Sequence, residues 1–156
     1  MSWAALHEQA VEAFAKGWRR PEPHAWDGLL APDIELTQPL LRCGRGRQLW
    51  QREIARLLAF LPDLHGEVLD WAGAEERLFI QLRLTATLGG KPLSFVAVDR
   101  LRLDPNGVAV ARESFFDPAP VAAMLARRPS TWLPWWRSGL GPLLGRRKFL
   151  SDKEKR

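Results

Sequence analysis

The chain predicts an α+β domain: helices near the N-terminus, followed by a long antiparallel meander. Three observations carry that expectation. Two stretches in the first 61 residues repeat apolar side chains at helical spacing. From residue 65 to residue 116 the pattern changes to two-residue alternation broken by tight-turn signals. The two longest alternating runs also bring apolar face against apolar face when paired through the turn between them.

Residues 3–18 place Trp3, Leu6, Ala10, Val11, Phe14 and Trp18 on one helical face, with Glu8, Gln9, Glu12 and Lys16 between them. His7 is expected on the solvated side. Gly17 and Arg20-Pro21-Glu22-Pro23 stop this helix. A short second helix is expected from about His24 to Leu30, ending before Pro32. Residues 33–41 alternate as a strand, with Ile34, Leu36, Gln38 and Leu40 on one side. Gly44-Arg45-Gly46 reads as a turn. Residues 47–61 form a helix with Leu49, Trp50, Ile54, Leu57, Leu58 and Leu61 inward, ended by Pro62. Strands follow over 65–72, 78–88, 93–103 and 108–116, and a short helix runs from Pro120 to about Ala126. With Gly89-Gly90 as a two-residue hairpin turn, Ile80 faces Asp99, Leu82 faces Ala97 and Leu84 faces Phe95. One charge, Asp99, then interrupts an otherwise apolar face.

The 156 residues suffice for one core, and 46% hydrophobic content fits a folded chain. Cys43 is the single cysteine, so no internal disulfide forms; it is expected to be a packed thiol. No secretory signal or spanning apolar segment is read, which makes a cytoplasmic location the expectation. The net charge of +5 is uneven. Residues 127–156 hold nine Lys or Arg against Asp152 and Glu154, a net +7, while residues 1–126 carry 14 basic and 16 acidic side chains. The chain is accordingly divided into a domain, 1–126, and a basic, Trp-rich extension, 127–156. The basic charge belongs to the extension, so nucleic acid is not expected as a partner of the domain.

Several short stretches carry a family likeness: Leu30-Ala31-Pro32-Asp33-Ile34, Gly44-Arg45-Gly46 before a helix, Leu61-Pro62-Asp63-Leu64-His65, Val98-Asp99-Arg100-Leu101 and Phe115-Phe116-Asp117. In this order the chain, over about residues 3–126, resembles the NTF2-like superfamily and its SnoaL-like branch. The resemblance implies a cone, a curved, mostly antiparallel sheet wrapped around N-terminal helices with an internal pocket. It also implies a homodimer formed through the outer sheet face, which here would carry Phe79, Gln81, Arg83, Val96 and Val98. That superfamily includes ketosteroid isomerases, polyketide cyclases, dehydratases and epoxide hydrolases, and also binding proteins without activity. Ketosteroid isomerases use a tyrosine, an aspartate base and a protonated aspartate. The matching positions here are Phe14, Gln38 and Asp99, and the chain has no tyrosine. Phe donates no hydrogen bond and an amide is no base at neutral pH, so isomerisation by that route is not expected.

The candidate catalytic residue is Asp99, since a carboxylate on an apolar face is desolvated unless paired. It acts either on a ligand or as half of an ion pair. With a two-residue turn at Pro105-Asn106, Arg112 lies opposite Asp99; with a bulge at Gly107, Glu113 does. Expected ligand contacts are Phe14, Trp18, His24, Gln38, Leu82, Arg112, Ser114 and Phe116. The three histidines, His7, His24 and His65, have no metal-site spacing, and neither metal nor cofactor is expected. Two readings follow for a small hydrophobic ligand. One is a cofactor-independent lyase, isomerase or cyclase acting on a polyketide-like or steroid-like substrate; the other is a non-catalytic binding protein. A third uses the extension, whose Trp132, Trp135, Trp136, Leu140, Leu143 and Leu144 stand among arginines. These residues either pack back on the domain or meet a membrane surface.

Overall fold

The structure is a computed structural model that describes residues 1–140. Helix α1 spans Trp3–Arg19 and is capped by Ser2, whose hydroxyl accepts from the Ala5 N–H at 3.4 Å. Lys16 and Arg19 in its last turn complement the helix dipole. Its buried stripe is Leu6, His7, Ala10, Phe14, Gly17 and Trp18. Gly17 is required by packing: a Cβ there would lie 2.3 Å from the Trp26 ring. The expected solvation of His7 does not hold. Its ring is buried, its Nε2 lies 2.8 Å from the Glu75 carbonyl oxygen, Trp3 stacks on it and Trp71 meets it edge-on. Gly73 makes this possible, because a side chain at that position would strike the imidazole.

No helix forms over 24–30. The backbone makes tight turns instead, with Ala25 bonded to Glu22, Asp27 to His24 and Leu29 to Trp26. Seven residues between prolines repay helix nucleation poorly, and the segment is fixed by the buried Trp26, whose indole donates to the Phe14 carbonyl at 3.3 Å. Strand β1 spans Leu30–Thr37 and buries Ile34 and Leu36. It ends four residues before the expected Leu41 because Pro39 cannot donate to a ladder and Leu40 adopts φ 60°. Gly44–Arg45 forms a two-residue edge strand, β2, opposite Glu35 and Leu36. Helix α2, Arg47–Phe60, buries Leu49, Trp50, Glu53 and Ile54. Cys43 is exposed, against expectation, since it sits on the loop before β2.

The meander consists of β3 (His65–Ala74), β4 (Arg77–Leu88), β5 (Lys91–Leu103) and β6 (Ala109–Phe115). With β1 and β2 these strands make one six-stranded sheet in the order β2-β1-β6-β5-β4-β3, antiparallel except for the parallel pair β1 and β6. The β4–β5 register is the one read from sequence: Ile80 faces Asp99, Leu82 faces Ala97 and Leu84 faces Phe95. Gly89 and Gly90 both take positive φ, as the hairpin turn needs. The β5–β6 register matches neither expected alternative. A bulge between Arg102 and Leu103 places Ser114 opposite Asp99 and Arg112 opposite Leu101. A slip of two residues keeps the same face inward, so Arg112 and Ser114 still point toward the core and both are buried.

The concave face of the sheet buries Leu78, Ile80, Leu82, Leu101 and Leu103, each nearly without exposure, in one core with Ala10, Phe14 and Trp18 of α1. Burial of this kind contributes about 1.5–3 kcal/mol per large aliphatic side chain. Trp18, Trp26 and Trp50 meet edge to face behind it, with centroids 5.0–6.3 Å apart. Helix α3 (Ala119–Ala126), a 3₁₀ turn (Pro129–Thr131) and helix α4 (Trp132–Ser138) follow the sheet. Trp132–Trp136 therefore folds back as a short helix beside α2, ended by Gly139 at φ 79°. Leu143, Leu144 and the basic residues from Arg146 onward lie outside the described residues. No helix among the described residues is long and apolar enough to cross a membrane.

Candidate functional site

Between the concave sheet face and the helices lies a cavity of about 890 Å³, within the size range of small-molecule sites. Its walls are Leu82, Leu84, Leu88, Leu93, Phe95 and Ala97 of the β4–β5 hairpin, Trp18 of α1, Trp50 and Leu57 of α2, and Phe116. Val121 and Leu125 of α3, and Trp132, Leu133, Trp135, Trp136 and Leu140, close the remaining side. Among the described lining residues, the polar side chains other than indoles are Gln38, Asp99, Arg112 and Ser114.

These four meet because of strand order. β6 lies between β1 and β5, so Arg112 at its centre reaches both neighbours. Its Nε and Nη2 lie 2.8 and 2.7 Å from Asp99 Oδ2, and its Nη1 donates to Gln38 Oε1 at 2.6 Å. The guanidinium carbon sits 4.5 Å from the centre of the Trp50 ring, a cation–π contact. Asp99 is fully buried and Arg112 is 6% exposed, so each charge is compensated mainly by the other. Gln38 Nε2 donates in turn to the Arg42 carbonyl at 3.1 Å. Three polar atoms of the lining residues are buried without a hydrogen-bond partner among the described residues: Asp99 Oδ1 and the indole nitrogens of Trp18 and Trp50.

The cavity thus brings together Asp99, Trp18, Gln38, Leu82, Arg112, Ser114 and Phe116. Phe14 and His24 lie elsewhere. Phe14 is one helical turn from Trp18 and packs edge-on against it, 6.4 Å away, within the core behind the wall. His24 is exposed on the turn segment, where its Nδ1 contacts Asp27 Oδ2 at 2.9 Å and Gln51 Nε2 at 3.1 Å. Burial opposes the Asp27 charge, but hydrogen bonds from His24 and Gln51 and the nearby His24 and Arg47 charges outweigh it and hold that carboxyl below its usual range. Because no helix forms over 24–30, nothing carries His24 over the cavity. Sequence reasoning placed Trp50 inward without assigning it to the site; its role depends on Arg112 arriving over it from another element.

Below the site, on the α2 side, is a second buried cluster. Glu53 is fully buried; its Oε1 accepts from Arg56 Nη1 at 2.6 Å and its Oε2 from the Arg42 backbone N–H at 3.2 Å. The Arg42 side chain approaches the same carboxylate at 3.8 Å. Among the described residues, no three His, Cys, Asp or Glu side chains are grouped to hold a metal ion.

Residues 11–112 match the model of the SnoaL-like domain family. Comparison with curated protein sequences gives no match. Among solved structures, the chain is similar to a putative SnoaL-like polyketide cyclase from Jannaschia sp. CCS1, with a TM-score of 0.69 and 16% identity over 83% of this chain and 99% of that one. TerC co-crystallised with polyporic acid gives a TM-score of 0.69 at 17% identity, covering 78% of this chain and 98% of that one. An NTF2-like protein of unknown function from Burkholderia pseudomallei K96243 gives 0.66 at 22% identity, covering 80% and 98%. Likeness at these identities establishes the fold.

Proposed function

The chain belongs to the SnoaL-like domain family, and from that premise we propose that it binds one small, predominantly apolar molecule in the cavity beneath its sheet. The observation that carries this reading is the segregation of the lining: apolar walls throughout, with four polar side chains gathered at the junction of β1, β6 and β5. Such a site takes a molecule whose body is hydrophobic and whose polar group sits at one end. Asp99 Oδ1, buried without a partner among the described residues, offers an acceptor to a hydroxyl or N–H of that polar group once the ligand and the wall adjust to each other. The polyketide cyclase name of one fold neighbour and the co-crystallisation of TerC with polyporic acid support an organic ligand of this kind.

A second reading is favoured by the same oxygen. Once the wall opens to a ligand, this buried oxygen becomes available to accept a proton from a bound carbon or hydroxyl acid. That chemistry belongs to a cofactor-independent cyclase, isomerase or lyase of polyketide-like or steroid-like substrates. Binding is the primary reading because Arg112 holds Oδ2 with two donors, which ties Asp99 into the wall. Incubation with a library of hydrophobic metabolites followed by native mass spectrometry tests both. Retention of an apolar compound, lost in Leu82→Arg, supports binding; conversion of the retained compound, abolished in Asp99→Asn, supports the enzyme. No retained compound from the library sinks both readings.

The outer sheet face exposes Phe79 at 42%, Val96 at 42% and Phe115 at 48%. We propose this face as the contact between two copies, and a monomer by sedimentation at micromolar concentration would remove that proposal.

A further inference from the structure

Large apolar side chains line the cavity in two classes. Those on the sheet are buried apart from the half-buried Phe95, whereas Leu40, Trp132, Leu133 and Trp136 are 42%, 50%, 56% and 51% exposed. Because all four belong to the same lining, they form its rim, and the apolar surface there is continuous with the cavity interior. The rim is built rather than loose: Trp132 Nε1 donates to the Leu125 carbonyl at 2.9 Å, which fixes one indole with half of its surface outward. Trp132, Leu133 and Trp136 share helix α4, whose last turn carries Arg137.

The charge of the same segment indicates what meets this rim. Residues 127–156 carry a net +7, and the remaining residues a net −2. Arg137 lies on the rim helix and Arg127 precedes it in the chain, Arg128 donates to the Leu88 carbonyl, and the sequence after residue 140 adds Arg146, Arg147, Lys148, Lys153, Lys155 and Arg156. A second copy docking here would bring like charge to like charge. A nucleic acid would satisfy the charge and stack on indoles, but it offers no apolar counterpart for Leu40 and Leu133. Indoles, leucines and cations on one surface match the interface of an anionic bilayer, where rings and aliphatic groups enter the headgroup boundary and cations meet the lipid charge.

We propose that the cavity rim docks on an anionic lipid surface, with the mouth directed at the bilayer. The docking itself is independent of the ligand. Its consequence, exchange of an apolar ligand between bilayer and cavity without passage through water, rests on the binding reading above.

Flotation of the full chain with extruded vesicles tests the docking without any ligand. The chain is expected to float with phosphatidylcholine vesicles containing phosphatidylglycerol at about 0.1 M salt. It is expected to stay behind with phosphatidylcholine alone, and binding should weaken as salt is raised. The double variant Leu133→Ser, Trp136→Ser should lower partitioning roughly tenfold or more, and Leu69→Ser on β3, exposed and outside both the cavity lining and the proposed contact between copies, should leave it unchanged. Circular dichroism on each variant verifies folding. Should the rim variant unfold, the triple variant Arg146→Gln, Arg147→Gln, Lys148→Gln keeps the rim intact and should lower binding to the anionic vesicles by a similar factor. Failure to float with anionic vesicles overturns the docking; this result is expected if residues 141–156 or another copy cover the rim. Equal loss in Leu69→Ser, or tighter binding to a single-stranded oligonucleotide than to vesicles, overturns it as well. A chain that floats but retains no apolar compound overturns the exchange and leaves the docking, so the two failures are distinguishable.

Discussion

Glu53 and Asp99 are both fully buried carboxylates held by arginine, yet they differ in one oxygen. Glu53 has both oxygens engaged, by Arg56 and Arg42. Asp99 has both guanidinium donors on Oδ2 and none on Oδ1. A saturated carboxylate is a structural joint, because any change strands a buried group. A half-saturated one on a cavity wall keeps an acceptor that the fold does not use. Burial and charge are equal at the two positions, so neither distinguishes a joint from a site. The count of satisfied lone pairs does.

Each member of this comparison can be broken separately. The largest effect is expected for Glu53→Ala, which removes a fully buried carboxylate from Arg56 and from the Arg42 backbone N–H: a loss of about 3 kcal/mol or more in urea denaturation, with affinity for any retained ligand unchanged. A ligand defect as large as that of Asp99→Asn would erase the distinction between the two clusters. Asp99→Asn should cost about 2 kcal/mol, since the amide oxygen still accepts from Arg112 but without charge. It should also weaken ligand binding by about tenfold, equivalent to 1.4 kcal/mol. The same stability loss with unaltered affinity would make Asp99 a joint like Glu53.

Gln38 connects the two clusters, accepting from Arg112 and donating to the Arg42 carbonyl. Gln38→Leu should cost about 1–2 kcal/mol, and a double-mutant cycle with Asp99→Asn should show coupling, because both touch Arg112. Additive losses would mean that Gln38 only fills space.

The smallest effect separates these buried groups from exposed carboxylates. Asp104 is held below its ordinary value of 3.8 chiefly by the Val108 N–H, against an opposing burial effect and with help from Asn106; Asp63 is held low by hydrogen bonding from Thr87. A lowered folded value means that the native state binds fewer protons than the unfolded one there. The stabilisation is present above the ordinary value and fades as pH falls through the folded values. Acid unfolding followed below about pH 4 should therefore be shallower in Asp104→Asn than in the unmodified chain. An identical slope would remove Asp104 from the account.

Much of this was legible in the residues. The β4–β5 register followed from apolar alternation and two glycines, since a hairpin with a two-residue turn leaves one pairing that buries one face. The isolation of Asp99 on that face, and the gathering of basic charge after residue 126, are likewise properties of the sequence. Other features depended on partners distant along the chain. The β5–β6 register turned on a bulge, where one extra residue shifts every following pair. His7 reads as solvated from its helix, and is buried because Gly73, 66 positions later, leaves space for the ring. Glu53 is not among the inward positions read for residues 47–61, and it is buried where Arg42 arrives from a loop. The Gln38–Arg112 bond spans 74 residues and exists because β1 and β6 pair in parallel. Periodicity reports which side of an element is apolar, and so the sequence by itself determined the faces. Which polar groups on those faces find partners is a matter of three-dimensional proximity between remote segments, and only the tertiary structure decided it.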